Sequence, residues 1–128
     1  MRRQYRLRRN SDFQQVRHNG KFYASSFMVL AFLRNKLDYS RFGFVVSKRL
    51  GKAVQRNKIK RRLREAARQR ISQIQPGFDL VFIARQPIGE ASYVEIEQAL
   101  AYLLKKSGLL LSKESPPEGE INSVLLNK

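Results

Sequence analysis

The chain has 128 residues, which is enough for one domain, and 42% of them are hydrophobic, so it can bury a modest core. It has no cysteine, which excludes a disulfide framework and any metal site or nucleophile built on cysteine. No apolar run reaches the roughly 18 residues of a membrane span, and the charged first residues are not followed by an apolar segment, so we predict a soluble, cytoplasmic protein.

The formal net charge of +16 is unevenly distributed along the chain. Residues 1–70 contain 21 Lys and Arg against three acids, whereas residues 71–128 contain five against seven. Folding gives no reason for this asymmetry, because concentrated like charges repel each other. A polyanionic partner removes that cost by neutralising the charge and releasing counterions. A membrane surface is the other polyanion to consider, but the bases fall within a predicted helix that also has an apolar face, which favours nucleic acid.

The first predicted elements are a basic arm and a short helix. Residues 1–10 are basic and lack periodicity, so we expect a flexible arm. Ser11 and Gln14 have the spacing of a capping box, in which each side chain bonds the other residue's backbone N–H. This pattern predicts a helix over residues 12–18, which Gly20 then stops.

Two or three strands follow the first helix. Residues 21–25 fit a short edge strand, and the apolar run 26–33 fits a strand that is covered on both faces. A polar turn at residues 35–40 then predicts that residues 42–47 form an antiparallel hairpin with that strand. Gly43 leaves a gap in the side-chain surface of this strand, where another backbone could approach closely.

The second half begins with a long helix, predicted over residues 56–73 and ended by a Pro-Gly pair. Residues 78–84 form another strand pattern. A second capping box at Ser92 and Glu95 opens a last helix, which ends near Gly108.

These elements predict an α+β fold in which helices pack on a small sheet. The predicted organisation is a flexible arm over residues 1–10, one domain over 11–110 and a disordered tail over 111–128. The tail is rich in Pro, Glu and Ser, a composition typical of disorder.

The segment 48–70 contains 11 Lys and Arg and a single acid, Glu65. At 100° per residue its apolar residues form one stripe that packs on the sheet, while most of its bases face solvent. A solvated helix normally mixes charge signs, since like charges four residues apart weaken it. One acid among 11 bases therefore indicates that phosphates lie along this helix, without indicating any sequence specificity.

Arg56 falls on the apolar side of this helix, at its predicted start. A charge in that position is costly unless it has a partner, and a phosphate near the helix N-terminus is one candidate. Asp79 or a backbone carbonyl is the alternative partner.

A second binding surface is suggested by aromatic and basic residues near the strands, because aromatic rings can stack on single-stranded nucleic acid. These residues are Phe13, Arg17, Phe27, Phe44 and Lys48. Aromatic residues on strands more often belong to the core. Phe13 is the best candidate, because it starts a short helix that need not bury it.

Protein-based catalysis has little support in the sequence. His18 is the only histidine, which excludes a nuclease that uses two histidines. No Gly-rich phosphate-binding loop occurs, and the three acids of the basic half (Asp12, Asp38 and Glu65) are too dispersed for a metal site. We therefore expect no catalytic group and no metal site in the protein, and metal ions held by RNA could perform phosphodiester chemistry instead.

Residues 51–65, with the sequence GKAVQRNKIKRRLRE, resemble the RNR signature of the bacterial ribonuclease P protein subunit. Similar segments lie at residues 9–13, 44–49 and 78–85, so the resemblance covers about residues 5–108. It implies a single-domain α-β-β-β-α-β-α sandwich with a small, mainly antiparallel sheet. It also implies a left-handed βαβ crossover, against the usual right-handed rule.

The resemblance further implies a function and a set of partners. In this family the protein assists a catalytic RNA, which holds Mg²⁺ and removes the 5′ leader of precursor tRNA as an endoribonuclease. The signature helix faces that RNA, and a cleft between the first helix and the sheet binds the single-stranded leader. The implied partners are the catalytic RNA and precursor tRNA, with one protein per RNA, no membrane and no small-molecule substrate.

Two sets of residues are assigned to functional positions by this resemblance. The set that matches the catalytic-RNA-binding signature is Arg56, Asn57, Lys58, Lys60, Arg61 and Arg64. The set assigned to the leader-binding cleft and its flanks is Phe13, Arg17, Ser47, Lys48, Arg49, Lys52 and Arg85.

Three positions depart from the family pattern. Lys58 replaces an arginine, which keeps the charge but loses the bidentate fork. Arg17 stands where a second aromatic residue is often found, and Ala31 stands where some members carry an aromatic residue on the strand. We therefore expect weaker stacking and stronger phosphate pairing in the cleft.

Two other functions are compatible with the charge pattern. A ribosomal or general RNA-binding protein without a cleavage role would share it, but the long signature argues against this alternative. A DNA-binding regulator would need Asn or Gln for base reading and a dimerisation element, and neither is evident.

Overall fold

A computed structural model describes residues 1–111, and most of the tail predicted over 111–128 therefore lies outside the described residues. The helices and strands occur in the order α-β-β-β-α-β-α, which confirms the predicted α+β fold. They are α1 (Asn10–Asn19), β1 (Lys21–Ala24), β2 (Met28–Arg34), β3 (Arg41–Val45), α2 (Ala53–Arg68), β4 (Phe78–Ala84) and α3 (Tyr93–Ser107). In the described range, every helix is too short or too polar to cross a bilayer.

The four strands form one sheet in the order β1-β2-β4-β3. β2 pairs antiparallel with both β1 and β4, so the sheet is mainly antiparallel, as predicted. The predicted hairpin between β2 and β3 is wrong, because β4 lies between them. All but the first and sixth residues of β4 are buried, which suits a central strand that is covered on both faces.

The connection between β2 and β3 crosses the beginning of β4 and is held there by hydrogen bonds. The Asn35 N–H donates to the Gly77 carbonyl at 2.9 Å. The Ser40 hydroxyl donates to the Gln75 carbonyl at 2.7 Å and accepts from the Phe78 N–H at 3.0 Å. These bonds hold the polar segment between β2 and β3 across the start of β4, so this segment does not form the tight turn of a hairpin.

β3 and β4 are parallel neighbours, and α2 connects them. This is the βαβ unit that the resemblance implies. The left-handedness of the crossover stays a prediction.

The two sheet faces carry separate apolar clusters. The larger cluster lies between the sheet and helices α2 and α3. Its sheet residues alternate with those of the smaller cluster, which α1 covers on the other face. The side chains with no solvent exposure in the larger cluster include Met28, Leu30, Leu63, Leu80, Phe82, Ile96, Leu100, Leu103 and Leu104.

One of the two predicted capping boxes is present. Ser92 Oγ accepts from the Glu95 N–H at 3.1 Å, Glu95 Oε1 accepts from the Ser92 N–H at 2.9 Å, and Gly108 ends α3 in the left-handed conformation. The box predicted at Ser11 is wrong. α1 begins earlier, with Arg9 in the N-cap position and no side-chain cap.

The N-terminal segment, predicted as a flexible arm, is attached to the outer edge of the sheet. Arg6 pairs with Phe42 of β3 in a parallel bridge, and the Leu7 N–H donates to the Phe42 carbonyl at 2.8 Å. The Leu7 side chain is only 6% exposed, and the Tyr5 ring meets the edge of Tyr39 with centroids 5.7 Å apart. Residues 5–7 therefore belong to the folded domain, and the arm prediction is wrong for them.

Candidate nucleic-acid interface

α2 packs one apolar stripe on the core, and its basic side chains lie on the remaining faces of the helix. The buried residues are Ile59, Leu63, Ala66 and Ala67, as the helical periodicity predicts. The helix begins at Ala53, three residues before the predicted start, and it is followed by a short 3₁₀ turn over Ile71–Gln73. Arg56 therefore lies within the first turn and not at the helix end.

Three bases follow one flank of α2 at intervals of four residues. Arg56, Lys60 and Arg64 are all partly buried on this flank. Arg56 Nε donates to the Gly51 carbonyl at 3.1 Å, so the alternative of a backbone carbonyl partner is confirmed for this atom. Asp79, the other alternative, pairs with Arg41 instead.

The bases of α2 and its C-terminal end divide into those with a protein partner and those without one. Arg68 pairs with Glu65 at 2.7 Å, Arg70 pairs with Glu97 at 3.3 Å, and Arg62 donates to the Ala91 carbonyl at 3.2 Å. Within residues 1–111, none of the five predicted RNA-binding bases forms an ion pair; these are Arg56, Lys58, Lys60, Arg61 and Arg64. The acids of the fold thus pair with Arg68 and Arg70 at the C-terminal end, while the five predicted RNA-binding bases keep no acidic partner in that range.

A pocket of about 350 Å³ lies on the opposite flank of α2, between this helix, the start of α3 and the 3₁₀ turn Gln86–Glu90. Arg49, Lys58 and Arg62 line it together with apolar side chains. The structure therefore places Arg49 beside α2, together with a residue predicted to bind the catalytic RNA.

Part of the sheet face that carries α1 stays open to solvent, and we call this open strip beside α1 the groove. Val29, Ile83 and Val45 are neighbours in register across β2, β4 and β3, and all three are only partly buried. Ile83 and Val45 pack on the α1 face, and Val29 points to the same face because its neighbours Met28 and Leu30 belong to the larger cluster. The three form an apolar row that α1 does not fully cover. Such a row beside an aromatic side chain can hold unstacked bases.

Phe13 borders this groove and packs over Gly43. A Cβ atom added at Gly43 would collide with the Phe13 ring, so the glycine makes room for the ring. The gap predicted at Gly43 is thus present, but a side chain fills it and not a backbone. Phe13 itself is partly buried, which leaves part of its ring accessible.

Most of the other predicted cleft residues lie near the ends of the strands or on α1. Ser47 follows β3 and Arg85 follows β4. Because these strands are parallel, both residues lie at the same end of the sheet, just beyond the C-terminal ends of the strands. Arg85 Nη1 donates to the Ser25 carbonyl at 2.9 Å, which holds this arginine over the β1–β2 turn. The exposed residues of this set are Arg17, Ser47, Lys48, Arg49, Lys52 and Arg85.

Phe27 and Phe44, proposed from sequence for the second surface, pack instead against the larger cluster on the other face. Phe44 stacks on Phe82 with ring centroids 5.9 Å apart. The alternative prediction, that aromatic residues on strands belong to the core, is therefore confirmed for both.

Phe22 is an exposed aromatic residue that the sequence argument missed. It is 69% exposed and pairs in register with Ala31, on the sheet face that α1 covers. The alternation of side chains along β1 could have predicted this position. Tyr23 stacks on Phe32 of the larger cluster, so its neighbour Phe22 must point to the other face.

An ionic network fixes α1 on the sheet. Arg41 donates from Nε and Nη2 to Asp79 at 2.9 and 2.7 Å, and its Nη1 lies 3.6 Å from the Asp12 carboxylate of α1. Asn35 Nδ2 also donates to Asp79 at 2.9 Å, so the buried carboxylate has several partners. The hydrogen bonds that Arg41 donates to Asp79 raise the pKa of Arg41 above its usual value.

Comparison with known proteins gives a consistent result. The family described as Ribonuclease P matches residues 1–108 of the chain. The ribonuclease P protein component of Clostridioides difficile (strain 630) is 41% identical over 104 residues, which are 80% of this chain and 91% of that protein. The corresponding protein of Geobacillus kaustophilus (strain HTA426) is 41% identical over 117 residues, 91% of this chain and 97% of that one.

Solved structures agree with the sequence relatives. The RNase P protein of Staphylococcus aureus matches with a TM-score of 0.78 and 38% identity, covering 83% of this chain and 97% of that one. The RNase P protein of Thermotoga maritima matches with a TM-score of 0.73 and 37% identity, covering 79% and 96%.

Proposed function

The chain belongs to the ribonuclease P protein family, and we propose that it is the protein subunit of a ribonuclease P ribonucleoprotein. In this proposal α2 binds the catalytic RNA, and the groove beside α1 binds the single-stranded 5′ leader of precursor tRNA. The complex acts as an endoribonuclease that removes the leader and leaves the mature 5′ end of the tRNA.

One arrangement supports the RNA-binding role most strongly. Five bases of α2 have no acidic partner within residues 1–111, although acids elsewhere in that range pair with other arginines. Three of them, Arg56, Lys60 and Arg64, follow each other at intervals of about one helical turn, which suits the repeated negative charge of a nucleic-acid backbone. Each phosphate that they neutralise releases counterions, which favours binding at low salt.

The groove supports the leader-binding role. A single strand exposes base faces that can stack on Phe13 and rest on the row of Val29, Ile83 and Val45. The basic side chains of Arg17 and Lys48 are exposed, so they are available to contact the phosphates of the same nucleic-acid strand. Recognition of this kind tolerates many sequences, because every base has a face that can stack.

The chemistry is assigned to the RNA. His18 is exposed on α1, and no three His, Asp or Glu side chains come together as a metal site in the part of the chain that the structure describes. In this proposal the RNA subunit holds the Mg²⁺ that the family implies. The protein would contribute substrate affinity and lower the Mg²⁺ concentration that cleavage requires.

Reconstitution with a bacterial ribonuclease P RNA tests the proposal. Cleavage of precursor tRNA at low Mg²⁺ is measured with and without the protein, and we expect strong stimulation by the protein. A general RNA-binding protein without a cleavage role would bind the RNA but give no stimulation, and that result would reject the proposal.

A matched pair of variants tests the role of α2 in the same assay. Lys60→Ala removes an unpaired base, so we expect weaker binding to the catalytic RNA and a salt dependence flatter by about one unit. Arg68→Ala removes a base that pairs with Glu65, so it serves as the control with an unchanged salt slope. Equal salt slopes for both variants would contradict the assignment of this flank to RNA.

A further inference from the structure

One aromatic side chain on the α1 face of the sheet is left open to solvent. Phe22 is 69% exposed, which makes it the most exposed aromatic residue within residues 1–111. It lies in β1, at the outer edge of the sheet. Apolar residues that are exposed singly are common on protein surfaces and need no explanation. The surroundings of Phe22 therefore decide whether its exposure has a function.

The residues around Phe22 are small, so its ring stands free. Its partner in register on β2 is Ala31, and Ala24 follows it two residues later on the same face of β1. Gly20, two residues before it, has no side chain. None of these neighbours is large enough to cover a phenyl ring, which leaves the surface of the ring free for contact with a ligand.

Phe22 also borders the groove. Val29, the β2 residue of the apolar row, is the register partner of Ala24 and lies two residues before Ala31. It is therefore the diagonal neighbour of Phe22 on the same face, at about 7–8 Å, a separation that an aromatic side chain can bridge. The exposed ring thus extends the apolar row of the groove to the outer strand of the sheet and is not an isolated exposed residue.

Phe13 and Phe22 mark opposite ends of one row across the sheet. The register connects Phe22, through one residue of β2 and one of β4, to Gly43 of β3, over which the Phe13 ring packs. Three spacings of about 4.8 Å separate the ends of this row, or about 14 Å. α1 covers the middle of the row, so a path between the two rings follows the groove beside α1. Two separated rings suit a long ligand with several flat groups, such as single-stranded nucleic acid.

We propose that Phe22 is a second stacking residue, which holds a base of the single-stranded leader at the β1 end of the groove. The inference rests on the proposed function, in which the groove binds the leader. It adds to the site an outer strand that no sequence pattern assigned to it. Phe13 holds one base near β3, and Phe22 holds another on the far side of the sheet.

The charge near β1 favours RNA over a second copy of this chain as the occupant. Arg17, in the last turn of α1, and Lys21, at the start of β1, are both exposed. Two copies that met through their β1 edges would bring these cations together, and the cations would repel each other. A lysine on an edge strand of only four residues also disfavours pairing with another strand. RNA phosphates, in contrast, are attracted by the same cations.

The first experiment uses the intact protein and a single-stranded oligoadenylate that carries a fluorescent purine analogue. Stacking on an aromatic ring quenches such an analogue, so its fluorescence reports ring contact as well as binding. Phe22→Ala is compared with Tyr102→Ala, which removes an exposed aromatic residue from α3 on the other side of the sheet. We expect Phe22→Ala to weaken binding roughly five- to tenfold and to reduce the quenching, whereas Tyr102→Ala should change neither.

Salt dependence and conservative variants separate stacking from charge and from folding. Phe22→Ala removes no charge, so its affinity should fall by the same factor at every salt concentration, whereas Arg17→Ala should flatten the salt slope. Phe22→Tyr keeps a ring and should bind like the wild type, while Phe22→Leu keeps apolar area without a ring and should resemble Phe22→Ala. The urea midpoint should stay unchanged within error in all four variants, because exposed side chains contribute little to stability.

The second experiment uses the complex reconstituted with a bacterial ribonuclease P RNA and varies the length of the leader on precursor tRNA. Phe13→Ala and Phe22→Ala should show their losses of affinity at different leader lengths, because two rings at this separation cannot hold the same base. With the longest leaders both variants should bind more weakly than the wild type. Losses that appear at the same leader length would contradict two separate stacking positions.

The outcomes separate this inference from the proposed function. If Phe22→Ala behaves like Tyr102→Ala with the oligoadenylate and with every leader, the second stacking residue is rejected, even when the protein stimulates cleavage. If the quenching depends on Phe22 but reconstitution gives no stimulation, the stacking role stands and the proposed function fails. Sedimentation of the protein alone tests the other occupant. A dimer that Phe22→Ala dissociates would assign the ring to an interface between copies and overturn the proposal.

Discussion

The two faces of the sheet differ in how completely the helices cover them. α2 and α3 cover one face, where Leu30, Leu80 and Phe82 have no solvent exposure. α1 and the preceding Leu7 cover only part of the other face and leave Val29, Val45 and Ile83 partly exposed. We infer that the closed face provides most of the stability, while the open face keeps apolar surface available for a ligand.

This division has a simple physical origin. Two helices of 16 and 15 residues bury their apolar stripes on the closed face, whereas α1 has ten residues and one buried side chain, Val16. A single short helix cannot cover four strands. The uncovered row would be a poor use of apolar side chains in a protein without a ligand, because burial stabilises in proportion to the area removed from water.

The largest effect on the free energy of unfolding is expected when a leucine on each face of the sheet is replaced by alanine. Leu80→Ala on the closed face should lower the free energy of unfolding by about 2–5 kcal/mol, since it leaves a cavity in a close-packed cluster. Leu33→Ala on the open face should cost about 1–2 kcal/mol, because Leu33 is only partly buried. Urea unfolding measures both values, and equal losses would contradict the proposed division.

The next effect concerns the network that attaches α1 to the open face. Asp79→Ala should lower the free energy of unfolding by about 2–3 kcal/mol, because it leaves the partly buried Arg41 without its two short hydrogen bonds. Asp38→Ala, which removes an exposed acid, is the control. An unchanged urea midpoint for Asp79→Ala would show that the network does not hold α1 in place.

A binding effect of similar or smaller size is expected at the groove. Phe13→Ala should weaken binding of precursor tRNA with a leader by about 1–3 kcal/mol, the usual contribution of one stacked base. Mature tRNA, which has no leader, should be affected much less. Equilibrium binding of the two RNAs to the reconstituted complex measures the difference, and equal losses would contradict the assignment of the groove.

Gly43→Ala tests the same groove without removing the aromatic ring. The added Cβ would collide with the Phe13 ring and displace it. As for Phe13→Ala, we therefore expect binding of precursor tRNA with a leader to weaken more than binding of mature tRNA. If Gly43→Ala binds the leader normally, the position of the ring over β3 does not matter for recognition.

The smallest effect is expected at the exposed pair on α2. Hydrogen bonds from Arg68 and Gln69 lower the pKa of Glu65 from 4.5 to about 2. A lowered folded-state pKa means that the contribution of Glu65 is present above pH 4.5 and is lost as the pH falls toward 2. Since the pair is exposed and screened by solvent, Glu65→Gln should leave the urea midpoint at neutral pH unchanged within error. A clear loss of stability would show that this pair contributes more than exposed pairs normally do.

Much of the fold could be predicted from local patterns. β4 lies at Phe78–Ala84 as predicted, and α3 has the predicted capping box at Ser92. These features depend on residues that are near each other in sequence. The start of α1 was predicted wrongly, because the preceding residues are held by β3, and a local capping pattern does not contain that contact.

The composition and order of residues determined that this chain has a basic helix with one apolar stripe, and the segment 51–65 indicated the family. Only the tertiary structure decided that β4 separates β2 from β3, that Phe13 lies over Gly43 and that Arg41 links Asp79 to Asp12. The physical reason is the range of the interactions. Helical periodicity and capping act over a few residues, whereas strand order and the ion pairs of Arg41 depend on how the whole chain packs.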